Sequence, residues 1–182
     1  MPVKTSELLF RWVPTFLAFP LGGLISRLAI GSASNLAKAL GGSLLVGLVV
    51  GLAQFVALKK FGVAPSWAIA TTLATTIAAL ANSLIFSYKF DSTSLVGSGL
   101  VAGSLVGLAQ SLSQTRDARF SVIWTLATAV AWSVAWFITS KVIVDPESQY
   151  HIFGSSGALV ATLGLSFFLK LVLPITSVSS AT

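Results

Sequence analysis

The sequence predicts an all-α integral membrane protein with six transmembrane helices, arranged as three tandem helical-hairpin repeats. Three observations predict this. Hydrophobic residues make up 55% of the 182-residue chain and charged residues only 9%, with a mean hydropathy of +0.92. A soluble domain carries about 25% charged residues, because its surface faces water. Continuous apolar runs lie at about 13–30, 41–58, 66–88, 94–113, 120–143 and 152–173, each close to the roughly 17–25 residues that a helix needs to cross the hydrocarbon. A pattern also recurs with a period long enough for two such helices. Trp12, Trp67 and Trp124 are 55 and 57 residues apart, and Gly47-Leu-Val-Val-Gly51-Leu-Ala-Gln54 returns as Gly103-Ser-Leu-Val-Gly107-Leu-Ala-Gln110. A weaker third copy stands at Gly157-Ala-Leu-Val-Ala161-Thr-Leu-Gly164.

Each segment has its own justification. The first follows Lys4 and Arg11, a start shared with signal peptides. Arg27 interrupts its apolar run, and removing the segment would deprive the first hairpin of its Trp-bearing helix, so it reads as a mature helix. The second carries the first Gly-x-x-x-Gly-x-x-Gln motif and stops at Lys59-Lys60 and Pro65. The third opens on Trp67 and holds Thr71, Thr72, Thr75 and Thr76, whose hydroxyls can return to the helix backbone. It ends at Lys89 and Asp91. The fourth lengthens a smooth stripe through Gly99, Gly103 and Gly107, and stops at Arg116-Asp117-Ala118-Arg119. The fifth carries Trp124, then Trp132 and Trp136 four residues apart on one face. The sixth follows Asp145-Pro146-Glu147. Short links favour antiparallel neighbours, and continuous rather than alternating apolar runs disfavour a β-barrel. Residues 1–182 therefore form a single membrane domain, with repeats at approximately 12–58, 66–113 and 120–175.

Charge sets the expected orientation. Lys4, Arg11, Lys59, Lys60, Arg116, Arg119 and Lys170 fall on one side, and Arg27, Lys38, Lys89 and Lys141 on the other. The positive-inside bias places both termini in the cytoplasm or on the equivalent face of an internal membrane. Trp12, Trp67 and Trp124 are then expected as interfacial anchors, where indole sits well. The net charge of +6 is scattered through short loops, so it fits retained cytoplasmic Lys and Arg rather than nucleic-acid binding.

The Gly-x-x-x-Gly-x-x-Gln motif is the most pointed local signal. Positions i, i+4 and i+7 share a helix face. Gly47, Gly51, Gly99, Gly103, Gly107 and Gly157 are the expected helix-packing residues, allowing close approach within the protein or with another membrane subunit. Gln54, Gln110 and Asn82 are candidate polar or ligand contacts. The plainer reading makes them interhelical hydrogen bonds. Gly164 stands where the third glutamine would be, so a three-fold polar ring is not expected. Trp132 and Trp136 suit packing or lipid contact better than a bound pigment.

Catalytic chemistry finds little support. The chain has no cysteine and one histidine, which removes thiolate nucleophiles and cysteine-ligated metals. Glu7, Asp91, Asp117, Asp145 and Glu147 all lie in termini or loops, whereas ion-coupled carriers usually need intramembrane ionisable groups. Asp145, Glu147 and His151 form a weak metal-ligand set beside Pro146. Phosphate loops and dinucleotide fingerprints are missing. No enzyme activity, cofactor or metal is expected.

The unit Gly-x-x-x-Gly-x-x-Gln, a short basic loop, then Trp-x-x-Ala-Thr, resembles repeats in uncharacterised multi-pass membrane proteins of bacteria, including cyanobacteria. The resemblance implies paired helices in a bacterial inner membrane or a thylakoid membrane, and no substrate. The expected role is a non-enzymatic accessory or assembly subunit, packing against other membrane proteins or itself through Gly-lined helix faces. The alternatives are a small transporter, channel or substrate-capture component, and a pigment- or lipid-binding protein. A pocket among Gln54, Asn82 and Gln110 would favour capture. A tightly packed interior with an exposed smooth stripe would favour the subunit.

Overall fold

The computed structural model describes residues 4–87, 89–114, 118–142, 151–169 and 173. Among these there is no strand, and the helices follow one another as a ring. Helix α1 (Thr5–Trp12) runs through a 3-10 turn (Val13–Leu17) into α2 (Ala18–Ile30). Helix α3 (Leu36–Leu58) is followed by a 3-10 turn (Lys59–Phe61), then α4 (Ser66–Phe86), α5 (Ser92–Ser113), α6 (Ala118–Val142) and α7 (Ser155–Ser166). Each packs on its chain neighbour, and α7 closes the ring against the 3-10 turn between α1 and α2.

Five spans, Thr5–Ile30, Leu36–Phe61, Ser66–Phe86, Ser92–Ser113 and Ala118–Val142, are long and apolar enough to cross a membrane. The protein is a multi-pass membrane protein. Its outer surface carries aliphatic stripes at helical spacing, such as Leu44, Leu48, Leu52 and Val56 on α3 and Ile69, Leu73 and Ile77 on α4. Exposed rows of this kind suit lipid rather than water.

Local chemistry moves several boundaries. The first helix begins at Thr5 rather than near 13, because Leu8 and Trp12 bury one face of α1. Pro14 then sits at the start of the 3-10 turn, where its missing N–H costs little. Helix α3 starts at Leu36, where the Asn35 side chain accepts from Lys38 N at 3.0 Å. Asp91 caps α5 in the same way, accepting from Ser94 N at 3.0 Å and from Ser94 Oγ at 2.6 Å. The sixth segment is described only in part. Helix α7 has 12 residues, about 18 Å at the usual rise, well short of the hydrocarbon. Gly164 weakens its final turn, and Ser166 turns its hydroxyl to the Leu163 carbonyl at 2.6 Å.

The glycines explain why the helices lie so close. A methyl group at Gly47 would fall 2.8 Å from Thr72 Cα, and one at Gly51 the same distance from the Ala68 carbonyl oxygen. Between α5 and α6 the corresponding approaches are 2.6 Å for Gly99 to Trp132 O, 2.5 Å for Gly103 to Thr128 O and 2.9 Å for Gly107 to Thr125 Cα. Gly157 meets the Ala135 carbonyl of α6. All six expected packing glycines therefore bear on helices of the chain itself. A partner subunit would have to dock elsewhere.

Candidate functional site

Two layers lie inside the ring, one near each end. The first surrounds Trp12, Trp67 and Trp124, all essentially inaccessible at 1%, 0% and 0% exposure. The expectation of interfacial anchors is corrected here. These indoles point inward, because each N–H finds a buried acceptor and each ring finds another ring. Trp67 Nε1 donates to Gln54 Oε1 at 3.1 Å, and Trp124 Nε1 donates to Gln110 Oε1 at 3.1 Å. Gln110 Nε2 donates in turn to Gln54 Oε1 at 3.0 Å and to Thr71 Oγ1 at 2.9 Å. Trp12 Nε1 reaches the Thr162 carbonyl at 2.9 Å, in the copy that has Gly164 in place of a glutamine. The rings of Trp67 and Trp12 lie 5.9 and 6.5 Å from that of Trp124, within the range of favourable aromatic pairing.

The layer is positioned by local backbone chemistry. Thr71, Thr72, Thr75 and Thr76 each donate to the carbonyl four residues earlier, at 2.6–2.9 Å. This leaves the Thr71 oxygen free to accept from Gln110. Leu8, Leu58, Phe61 and Leu165 wall the layer with apolar surface. Each amide of the Gln pair is thus an interhelical tie and is shielded from solutes: Gln54 and Gln110 are 4% and 2% exposed.

Asn82 belongs to the other layer, so the structure does not bring Gln54, Asn82 and Gln110 together around one pocket. It lines a cavity of about 100 Å³ together with Ser43, Lys89, Trp132, Trp136 and His151, near the end where α2, α4 and α6 finish. Trp132 and Trp136 form its inner aromatic wall, set by edge-on contacts with Phe153 at 5.3 and 6.0 Å, and Phe19 stacks on Phe153 at 4.9 Å. Phe86 and Phe90 contribute further aromatic surface, and exposed Lys89 stands at the edge. Asn82 Nδ2 donates to the Ser98 carbonyl at 3.3 Å, whereas its Oδ1 is buried with no partner among the described residues.

His151 is the residue whose placement sequence reasoning missed. Its ring lies directly over Gly42, in space that any side chain there would fill. Nε2 is 2.9 Å from the Gly31 carbonyl oxygen. A carbonyl only accepts, so Nε2 carries the proton and Nδ1 is left as a bare acceptor. Nδ1 is buried and unpartnered among the described residues. The adjacent glycines Gly41-Gly42 and the single histidine were the available signals. Asp145 and Glu147, the other members of the weak metal set, lie outside the described residues.

Burial pushes the His151 pKa below its ordinary value, and the Arg27 charge adds to this, while the bond to Gly31 opposes it. The native state therefore binds fewer protons than the unfolded state as pH falls below about 6.5. The stabilisation is present above that pH and is lost as pH drops through the native pKa. Thermal unfolding in detergent will show a lower Tm at about pH 5 than at about pH 7.5, and His151→Phe will remove most of that difference. An undiminished pH dependence in the variant would assign it to another group.

No family model, curated protein or solved structure matches this chain.

Proposed function

We propose that this protein is a non-enzymatic, solute-binding membrane component, with both termini cytoplasmic, in a bacterial inner membrane or thylakoid membrane. One observation carries the reading: a partly polar, aromatic-walled cavity opens near one end of the ring, while the indole–amide layer fills the other. Such a vessel suits capture of a small molecule from the non-cytoplasmic side. The hairpins read as three tandem repeats, and the first two glycine motifs support this with recurring contacts. Gly47 and Gly51 meet Thr72 and Ala68, and Gly103 and Gly107 meet Ala129 and Thr125 at corresponding positions. Native mass spectrometry from nanodiscs will test the role. A small molecule retained at one per chain is the expected result, and an empty chain bound stoichiometrically to another protein would overturn it.

The accessory-subunit reading keeps one observation of its own. Between α6 and α7 runs an apolar groove of about 470 Å³, lined by residues such as Leu126, Val130, Val134, Val160 and Phe168. Gly164 opens into it, with no atom within 4 Å of where its Cβ would be. Its apolar lining suits aliphatic side chains of a neighbouring helix.

A further inference from the structure

Two acceptors line or underlie one cavity without donors, and this asymmetry identifies the kind of solute. Asn82 Oδ1 and His151 Nδ1 are both buried and unpartnered among the described residues, and both side chains belong to the wall of the same cavity. An unsatisfied buried polar atom is costly, so an occupant that supplies hydrogen-bond donors is favoured there. Neither atom has free surface. Presenting the Asn82 oxygen to an occupant requires a turn of its amide, which gives up only a bond as long as 3.3 Å, whereas the His151 ring is held against Gly42 and Gly31.

The remaining wall narrows the class. Trp132, Trp136, Phe86 and Phe90 offer aromatic surface, which favours a planar ring. The volume of about 100 Å³ is somewhat below the roughly 150 Å³ cavity that accommodates benzene, so a single small ring fits. Charge argues against a cation. Lys89 stands at the edge and Arg27 acts on His151, so the described charges nearest the cavity are positive. Asp91, the described carboxylate at that end, is engaged in capping α5.

We propose that the cavity binds a neutral or anionic single-ring heteroaromatic molecule bearing an in-plane N–H donor, received by Asn82 Oδ1. The proposal rests on the solute-binding reading and adds the chemical class. Its test uses two isosteric probes with the full chain in nanodiscs: pyrazole, which carries an N–H, and isoxazole, which has an oxygen in its place. Binding is read from tryptophan emission, since Trp132 and Trp136 line the cavity. Pyrazole will saturate with a Kd on the order of 1 mM, in keeping with five heavy atoms. Isoxazole will bind about fivefold to tenfold more weakly, the worth of one hydrogen bond. Asn82→Leu will bring pyrazole down to the isoxazole level, and unaltered tryptophan emission without probe will report an intact fold. Equal binding of the two probes would overturn the donor-bearing class and leave the cavity as a binding site. Saturation by neither probe would overturn the site itself, leaving water as its occupant.

Discussion

Gln110→Leu will destabilise the protein by about 2–4 kcal/mol, measured by unfolding in mixed detergent micelles. Leucine is close to glutamine in size, so little of the loss comes from packing. It comes from three hydrogen bonds that end on one amide: Trp124 Nε1 into Oε1, and Nε2 to Gln54 and Thr71. The Trp124 N–H is left in a wholly buried position with no acceptor, which costs about 1–3 kcal/mol. The two severed interhelical bonds add less, on the order of 0.6 kcal/mol each in membrane proteins. Gln54→Leu will cost a similar amount, about 2–4 kcal/mol, because the Trp67 N–H and one Gln110 amide N–H both lose the Gln54 oxygen. The double variant will fall short of the sum, since the Gln54–Gln110 bond is counted in both single changes. A Gln110→Leu cost under about 0.5 kcal/mol, the scale of an ordinary surface change, would mean that the amide pair does not tie α3, α4, α5 and α6 together.

The amide pair also shows what was legible before any coordinates. Composition and run length were enough for the helical membrane class, because lipid-facing surface needs long apolar stretches wherever the helices are placed. Spacing of i, i+4 and i+7 was enough to put glycines and glutamines on one face of α3 and of α5. What spacing could not decide was the direction in which tryptophan faced. Indole suits a headgroup interface and an enclosed site with an acceptor equally well, and the acceptor lies on another helix. The recurring separation of Gln54 from Trp67 and of Gln110 from Trp124, 13 and 14 residues, was the signal that would have joined them. His151 was less accessible. Its seat on Gly42 and its bond to Gly31 span about 110–120 residues, a separation at which no local pattern operates.

Gly103→Val and Gly164→Ala will move stability in opposite directions, though both replace a glycine within the same recurring motif. At Gly103 even the first methyl carbon would lie 2.5 Å from Thr128 O and 2.7 Å from Ala129 Cα. Both are backbone atoms, so no side-chain rotation relieves the clash. The helices must separate, and Gly99 and Gly107 would lose their own close approaches to α6. Overpacking of a tight core costs about 1–3 kcal/mol, and a branched side chain on this seam belongs at or above the upper end. Separation would also widen the cavity between Ser98 and Ala102 of α5 and Trp132 of α6, so Gly103→Val will weaken the tryptophan response to pyrazole even where the chain remains folded. Gly164 has no atom within 4 Å of its would-be Cβ. Alanine there meets nothing, and it gains up to about 1 kcal/mol of helix propensity, moderated by the nearness of the helix end. A higher Tm for Gly164→Ala beside a sharply lower one for Gly103→Val assigns the glycine stripe of α5 to contacts within the ring. If Gly103→Val unfolds like the unaltered protein, α5 and α6 are not packed as closely as these distances require.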